Sequence, residues 1–145
     1  MLRTFVLSSV LLLGLSVAWI HGEQGSAPAQ PAPVNPANFT GTVTPHQISD
    51  IRTLRYHFDA AARTNWHSHA GGQVIYVEEG RARAQERGKP TKEFGPGDTF
   101  HTAPGVVHWH GAGPNTGMTQ VAMSFGATNW LEKVSDDEYS RGSTR

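Results

Sequence analysis

Trp66-His67-Ser68-His69 and Val107-His108-Trp109-His110 carry half of the chain's 8 histidines, arranged as two His-x-His pairs. In an extended strand, residues two apart share a face, roughly 6.5–7 Å apart along the backbone. Each pair can therefore send two imidazoles into one cavity. Imidazole is the commonest protein metal ligand near neutral pH, so the spacing points first to a mononuclear metal site. Gly71-Gly72 follow the first pair and let the backbone turn, bringing the amide oxygen of Gln73 toward the same point. His108, from a distant strand, completes a set of three nitrogens and one oxygen: His67, His69, Gln73 and His108. Such a set leaves coordination positions open, the mark of a catalytic rather than a structural site. Its mixed nitrogen and oxygen donors suit Mn, Fe, Co, Ni or Zn and disfavour Ca and Mg. His110 shares a strand face with His108, so an inward His108 brings His110 inward too. Beside a bound substrate, an unligated imidazole with an ordinary pKa of about 6.5 is placed for proton transfer.

Trp66 and Trp109 alternate with these histidines, so they are expected to face away from the metal, into a packing or subunit layer. His46 and His57 are expected in solvent, and His101 is either near the pocket or on a strand surface; none is given a role.

The elements that must position these groups are short strands. Phe39 to Val43, Ile51 to Phe58, Gln73 to Glu79, Arg81 to Gln85 and Thr91 to Phe94 read as strands, as do Thr99 to Thr102, Val107 to Gly111 and Met118 to Phe125. Ala82 and Ala84 alternate in a way that suits a narrow interior. Arg87-Gly88-Lys89-Pro90 and Gly95-Pro96-Gly97-Asp98 are turn signals between them. Ser135-Asp136-Asp137-Glu138 has the form of a capping box and starts one short helix. Evenly spaced short strands with almost no helix indicate an all-β closed barrel or jelly roll.

Composition agrees. With 145 residues one domain is expected, and Gly 16 with Pro 9 favours a turn-rich β fold. Lys+Arg 12 balances Asp+Glu 12, so the chain has no nucleic-acid or anionic-membrane footprint. Cys 0 excludes disulfides, thiolate ligands and a cysteine nucleophile. Residues 1–20 read as an export signal, with Arg3 ahead of an apolar run and cleavage somewhere between 18 and 29. The alternative is an uncleaved N-terminal anchor, and either way the expected location is the periplasm or outside the cell. Residues 21–37 form a Pro/Ala-rich linker, residues 38–140 the folded domain, and 141–145 a tail.

The motifs resemble the cupin superfamily. Its first motif runs His-x-His, three or four residues, an acidic residue, six more, then Gly; His67, His69, Gln73 and Gly80 follow it with Gln in the acidic place. Gly97, Pro104 and His108 approximate the second motif, with Val106 where a glycine is usual. Ala62 to His67, His108 to Ala112, Met118-Thr119 and Trp130 to Asp136 look like the small bacterial cupins that include manganese-dependent hydroxynitrile lyases. The resemblance implies a cupin jelly roll with one short C-terminal helix. It also implies manganese first among the candidate metals, on His67, His69, Gln73 and His108, with His110 as acid/base. Tyr56, Gln120 and Ser124 become substrate-binding candidates, with Leu54 a pocket or core residue. The lyases carry smaller residues where Leu54 and Tyr56 fall and an amide where Ser124 falls, which implies a tighter pocket or another ligand. A neutral Gln in place of carboxylate leaves a divalent centre one unit more positive, which favours Lewis-acid over redox chemistry. The expected activity is cleavage of a small oxygenated molecule by a homodimer or homotetramer. A quercetinase-type dioxygenase and a non-catalytic binding module are the alternatives.

Overall fold

The computed structural model describes residues 35–141 apart from residue 47. The expected signal segment, nearly all of the linker and the last four residues lie outside the described residues. After a 3-10 turn at Pro36–Asn38 the strands are β1 (Ile51–Phe58), β2 (His67–His69), β3 (Gln73–Gly80), β4 (Ala82–Glu86) and β5 (Lys92–Phe94). They continue with β6 (Thr99–Thr102), β7 (His108–Ala112), β8 (Met118–Phe125) and β9 (Thr128–Trp130), and the chain ends in helix α1 (Asp136–Ser140). Four strands form one sheet in the order β1-β8-β3-β6, and five form the other in the order β5-β4-β7-β2-β9. All pairings are antiparallel. The two sheets face each other as a jelly roll, with the histidines between them.

Alternation explains which residues meet inside. Along β8, Met118, Gln120, Ala122 and Ser124 are buried while the residues between them are half-buried. Ile75, Ala84, Phe100 and Ala122 form one interior cluster, and Val77, Ala82, Ala112 and Met118 another. Ala82 and Ala84 do face this narrow interior, where a larger side chain would meet the opposite sheet.

Strand β7 is buried along its whole length because both of its faces are covered. Inside lie His108, His110 and Ala112; outside, Trp109 joins Trp66, Val134 and Tyr139 in a separate cluster under α1. The capping box forms, with Ser135 Oγ accepting from the Glu138 amide at 3.2 Å and Glu138 Oε2 accepting from the Ser135 amide at 2.9 Å. Tyr139 pins this short helix by donating its hydroxyl to the Ala112 carbonyl at 2.8 Å. On β7, Gly111 leaves room for the segment before β2: an added Cβ would lie 2.4 Å from the Ala62 carbonyl oxygen.

Three expectations change. No strand forms at Phe39 to Val43, because Gly41 at φ +83° breaks the extended path and no neighbour among the described residues supplies backbone partners. Polar Thr128-Asn129-Trp130 is nevertheless a strand, β9, because β2 lies beside it in register His67 to Trp130 and His69 to Thr128. Leu54 packs in neither core nor pocket; it is 40% exposed on edge strand β1.

Candidate metal centre

His67 is the hub of the histidine cluster. Its ring centroid lies 4.3 Å from that of His108, 5.0 Å from His69 and 5.3 Å from His110. The pairing of β2 with β7 sets His67 directly opposite His108, which brings the two His-x-His motifs together. The turn after β2 then carries the chain back: the Gly72 amide donates to the His69 carbonyl at 3.2 Å, with Gly72 at φ +89°. A Cβ on Gly72 would meet the Thr102 carbonyl oxygen at 2.6 Å, so the turn needs glycine there. It delivers Gln73 to the start of β3, opposite Ser124 of β8.

The hydrogen bonds fix the ring tautomers. His67 Nδ1 faces the Asn65 carbonyl at 3.0 Å, and His108 Nδ1 faces the Val106 carbonyl at 3.0 Å. A carbonyl can only accept, so both Nδ1 atoms carry the proton and both Nε2 atoms keep a lone pair. His69 Nδ1 lies 3.0 Å from Thr128 Oγ1, and its Nε2 is buried without a partner among the described residues. Gln73 donates Nε2–H to Ser124 Oγ at 2.9 Å, which turns Oε1 toward the imidazoles, 2.9 Å from His108 Nε2. Two lone pairs thus face each other across the centre of the cluster. They repel unless a proton or a cation lies between them.

A proton is disfavoured. Burial pushes the His108 pKa down to about 4, with the charges of His67 and His69 adding to it. Burial likewise lowers His69 to about 4, with smaller contributions from His67 and then Arg52. His67 is lowered mainly by burial, and His110 is held well below its usual value by burial and then by its three imidazole neighbours. All four rings are therefore neutral at pH 7, the state that ligates metal. One donor atom from each of His67, His108 and His110 lies within 4.8 Å of the others, so this buried trio could hold a metal ion. The convergent lone pairs and the unpartnered His69 Nε2 fit a cation as well.

His110 differs from the others. Among the described residues its Nδ1 meets neither a carbonyl nor a hydroxyl; instead Gln120 Nε2 lies 3.3 Å from that atom. Its backbone amide donates to Thr64 Oγ1 at 3.2 Å, and its ring stands edge-on to Phe58 at 5.9 Å. A cavity of about 230 Å³ opens beside these groups, walled by Arg52, Tyr56, Phe58, Thr64, Ser124 and Trp130 together with His67, His69, Gln73 and His110.

The Cupin domain family matches residues 54–122. An (R)-mandelonitrile lyase of Granulicella tundricola is 42% identical over 88 residues, covering 58% of this chain and 67% of that protein. The chain belongs to the cupin family. A cupin-like protein of Thermotoga maritima superposes with a TM-score of 0.63 at 38% identity, covering 65% of this cupin and 74% of that chain. A DMSP lyase of Ruegeria pomeroyi shares the fold alone, with a TM-score of 0.52 at 18% identity over 61% of this cupin and 47% of that chain.

In this cupin the structure brings His67, His69, Gln73, His108 and His110 together, joins Ser124 to them through Gln73, and sets Tyr56 on the cavity wall. Gln120 lies fully buried behind His110 rather than on that wall. Trp66 and Trp109 face away into the outer cluster, and His46, His57 and His101 are exposed. Arg52, Phe58, Thr64, Thr128 and Trp130 join the site without a sequence motif that marks them. Alternation with Tyr56 along β1 was the available signal for Arg52.

Proposed function

We propose that this cupin is a metal-dependent lyase that cleaves a carbon–carbon bond next to a hydroxyl-bearing carbon, as in hydroxynitrile cleavage. The observation that carries this reading is the placing of one free imidazole, His110, beside four convergent neutral donors. The 42% identity to an (R)-mandelonitrile lyase supports the reaction type. His67, His69, Gln73 and His108 would hold one divalent transition metal, manganese first, with Fe, Zn, Ni and Co as alternatives. When bound, such a metal supplies Lewis-acid polarisation of a substrate oxygen, undiminished by any anionic ligand.

The chain's own residues supply the proton chemistry. Ser124 holds the Gln73 amide so that its oxygen, not its nitrogen, faces the imidazoles. His110 takes the proton of the substrate hydroxyl as the bond to the leaving group breaks, and returns it in the addition direction. Gln120 suits this exchange because an amide can face either ring tautomer. Its N–H donates to a bare Nδ1, and with the amide turned its oxygen accepts from Nδ1–H, freeing Nε2 as the base. Tyr56, Phe58 and Trp130 keep the substrate against these groups and exclude water.

Cyanide release from mandelonitrile by the metal-loaded protein without oxygen is the expected result. Oxygen uptake with phenolic substrates instead would replace the lyase by a dioxygenase, and saturable binding without turnover would replace it by a binding module. Purified protein without any metal would overturn the site itself. We also propose a periplasmic or secreted location, supported by the composition of residues 1–20, and a homodimer or homotetramer. Exposed Ile51, Leu54 and Tyr56 on edge strand β1 support the oligomer.

A further inference from the structure

We propose that the cavity selects a small substrate bearing a carboxylate, and that Arg52 is the residue that receives it. This rests on the metal-site reading above and narrows its substrate class. Arg52 lies on the cavity wall, on the same face of β1 as Tyr56 and Phe58. Pairing of β1 with β8 sets it opposite Ser124, the residue that holds Gln73, and its charge is felt at His69. Phe58, at the other end of β1, lies against His110. The wall therefore runs from a cation at the Gln73 end to a base at the His110 end.

Arg52 is free to bind an anion. Arg55, Arg63, Arg83 and Arg87 each meet a carboxylate, whereas Arg52 forms no ion pair or side-chain hydrogen bond among the described residues. Its neighbours around the cavity are imidazoles, amides, hydroxyls and aromatic rings, and no described carboxylate lines the space. Four neutral donors would leave the charge of a divalent metal unbalanced, and Arg52 adds one more positive charge to the same small volume. A neutral cyanohydrin such as mandelonitrile would balance neither, so it is expected to be turned over with a higher KM than a carboxylate-bearing counterpart. A hydroxy- or oxo-acid whose carboxylate lies at the far end of the molecule would place its reacting oxygen by His110 and its carboxylate against the guanidinium, whose paired N–H groups match a carboxylate in geometry as well as charge.

Titration calorimetry with para-formylbenzoate, whose aldehyde oxygen and carboxylate lie at opposite ends of the ring, and its neutral amide tests this on the metal-loaded protein. Wild type is expected to bind para-formylbenzoate at least about tenfold tighter than para-formylbenzamide, the scale of a charge-assisted hydrogen bond. Arg52→Gln is expected to lose that preference while binding the amide unchanged, and Arg52→Lys to keep part of it. Equal affinity for para-formylbenzoate in wild type and Arg52→Gln, or equal binding of acid and amide by wild type, would overturn the proposal. Metal content is measured on the same samples. A protein that binds no metal overturns the metal-site reading, whereas the acid–amide comparison between wild type and Arg52→Gln still reports on the guanidinium alone. Because Arg52 is exposed on an edge strand, both variants are expected to fold, which thermal melts check.

Discussion

His110 and His69 exchange roles depending on which imidazole takes a cation, and side-chain removal separates them. Distance alone groups His110 with His67 and His108. Hydrogen bonding groups His69 with them instead, because its Nδ1 is engaged outward and its Nε2 is left bare inside. A metal-ligating histidine is usually held through its other nitrogen in this way. His110→Ala is therefore expected to keep its metal and lose about 10²–10⁴-fold in kcat, measured by elemental analysis and cyanide release. Loss of the metal along with activity would make His110 a ligand. Ser124→Ala removes the hydroxyl that orients Gln73, so metal affinity is expected to fall about 10–100-fold in competition with a chelator, with the fold intact.

Strand β7 does two jobs because each of its faces meets a different layer. Its inner face presents His108 and His110, and its outer face carries Trp109 and the close approach at Gly111. A methyl at Gly111 would press on backbone, at 2.4 Å from the Ala62 oxygen and 2.6 Å from the Arg63 Cα, neither of which can rotate away. Gly111→Ala is expected to cost about 1–3 kcal/mol and to lower the melting temperature by several degrees. The same displacement would shift His110, whose amide is held by Thr64, so activity should fall further than stability alone explains. An Ala variant with wild-type melting and wild-type kcat would show that this segment is not what sets β7 in place.

Across the whole molecule, four buried neutral histidines tie stability to pH. Their folded pKa values lie below the unfolded value of about 6.5, so between those limits the unfolded chain binds more protons. Stability of the metal-free protein is therefore full above about pH 6.5 and declines as pH falls toward about 4, where His69 and His108 at last protonate in the folded state. Thermal melts of chelator-treated protein at pH 7 and pH 5 check this, with the lower melting point expected at pH 5. Metal at a hundredfold excess over its Kd should raise stability at pH 7 by about 2.7 kcal/mol, and protons should compete that gain away on acidification.

Local chemistry made much of this protein legible in one dimension. The two-residue period of each His-x-His pair, the Gly71-Gly72 turn before Gln73, the alternating alanines of β4 and the capping box at Ser135 are short-range features, and each holds in the fold. Only the tertiary structure decided what stands behind and across from them. Thr128 reaches His69, Ser124 reaches Gln73, and Gln120 reaches His110, while Arg52 comes to the Gln73 end of the cavity because β1 pairs with β8 in one register. Those partners are set by hydrogen-bonded pairing between strands distant in sequence. A shift of one residue in that pairing would turn every one of these side chains to the opposite face.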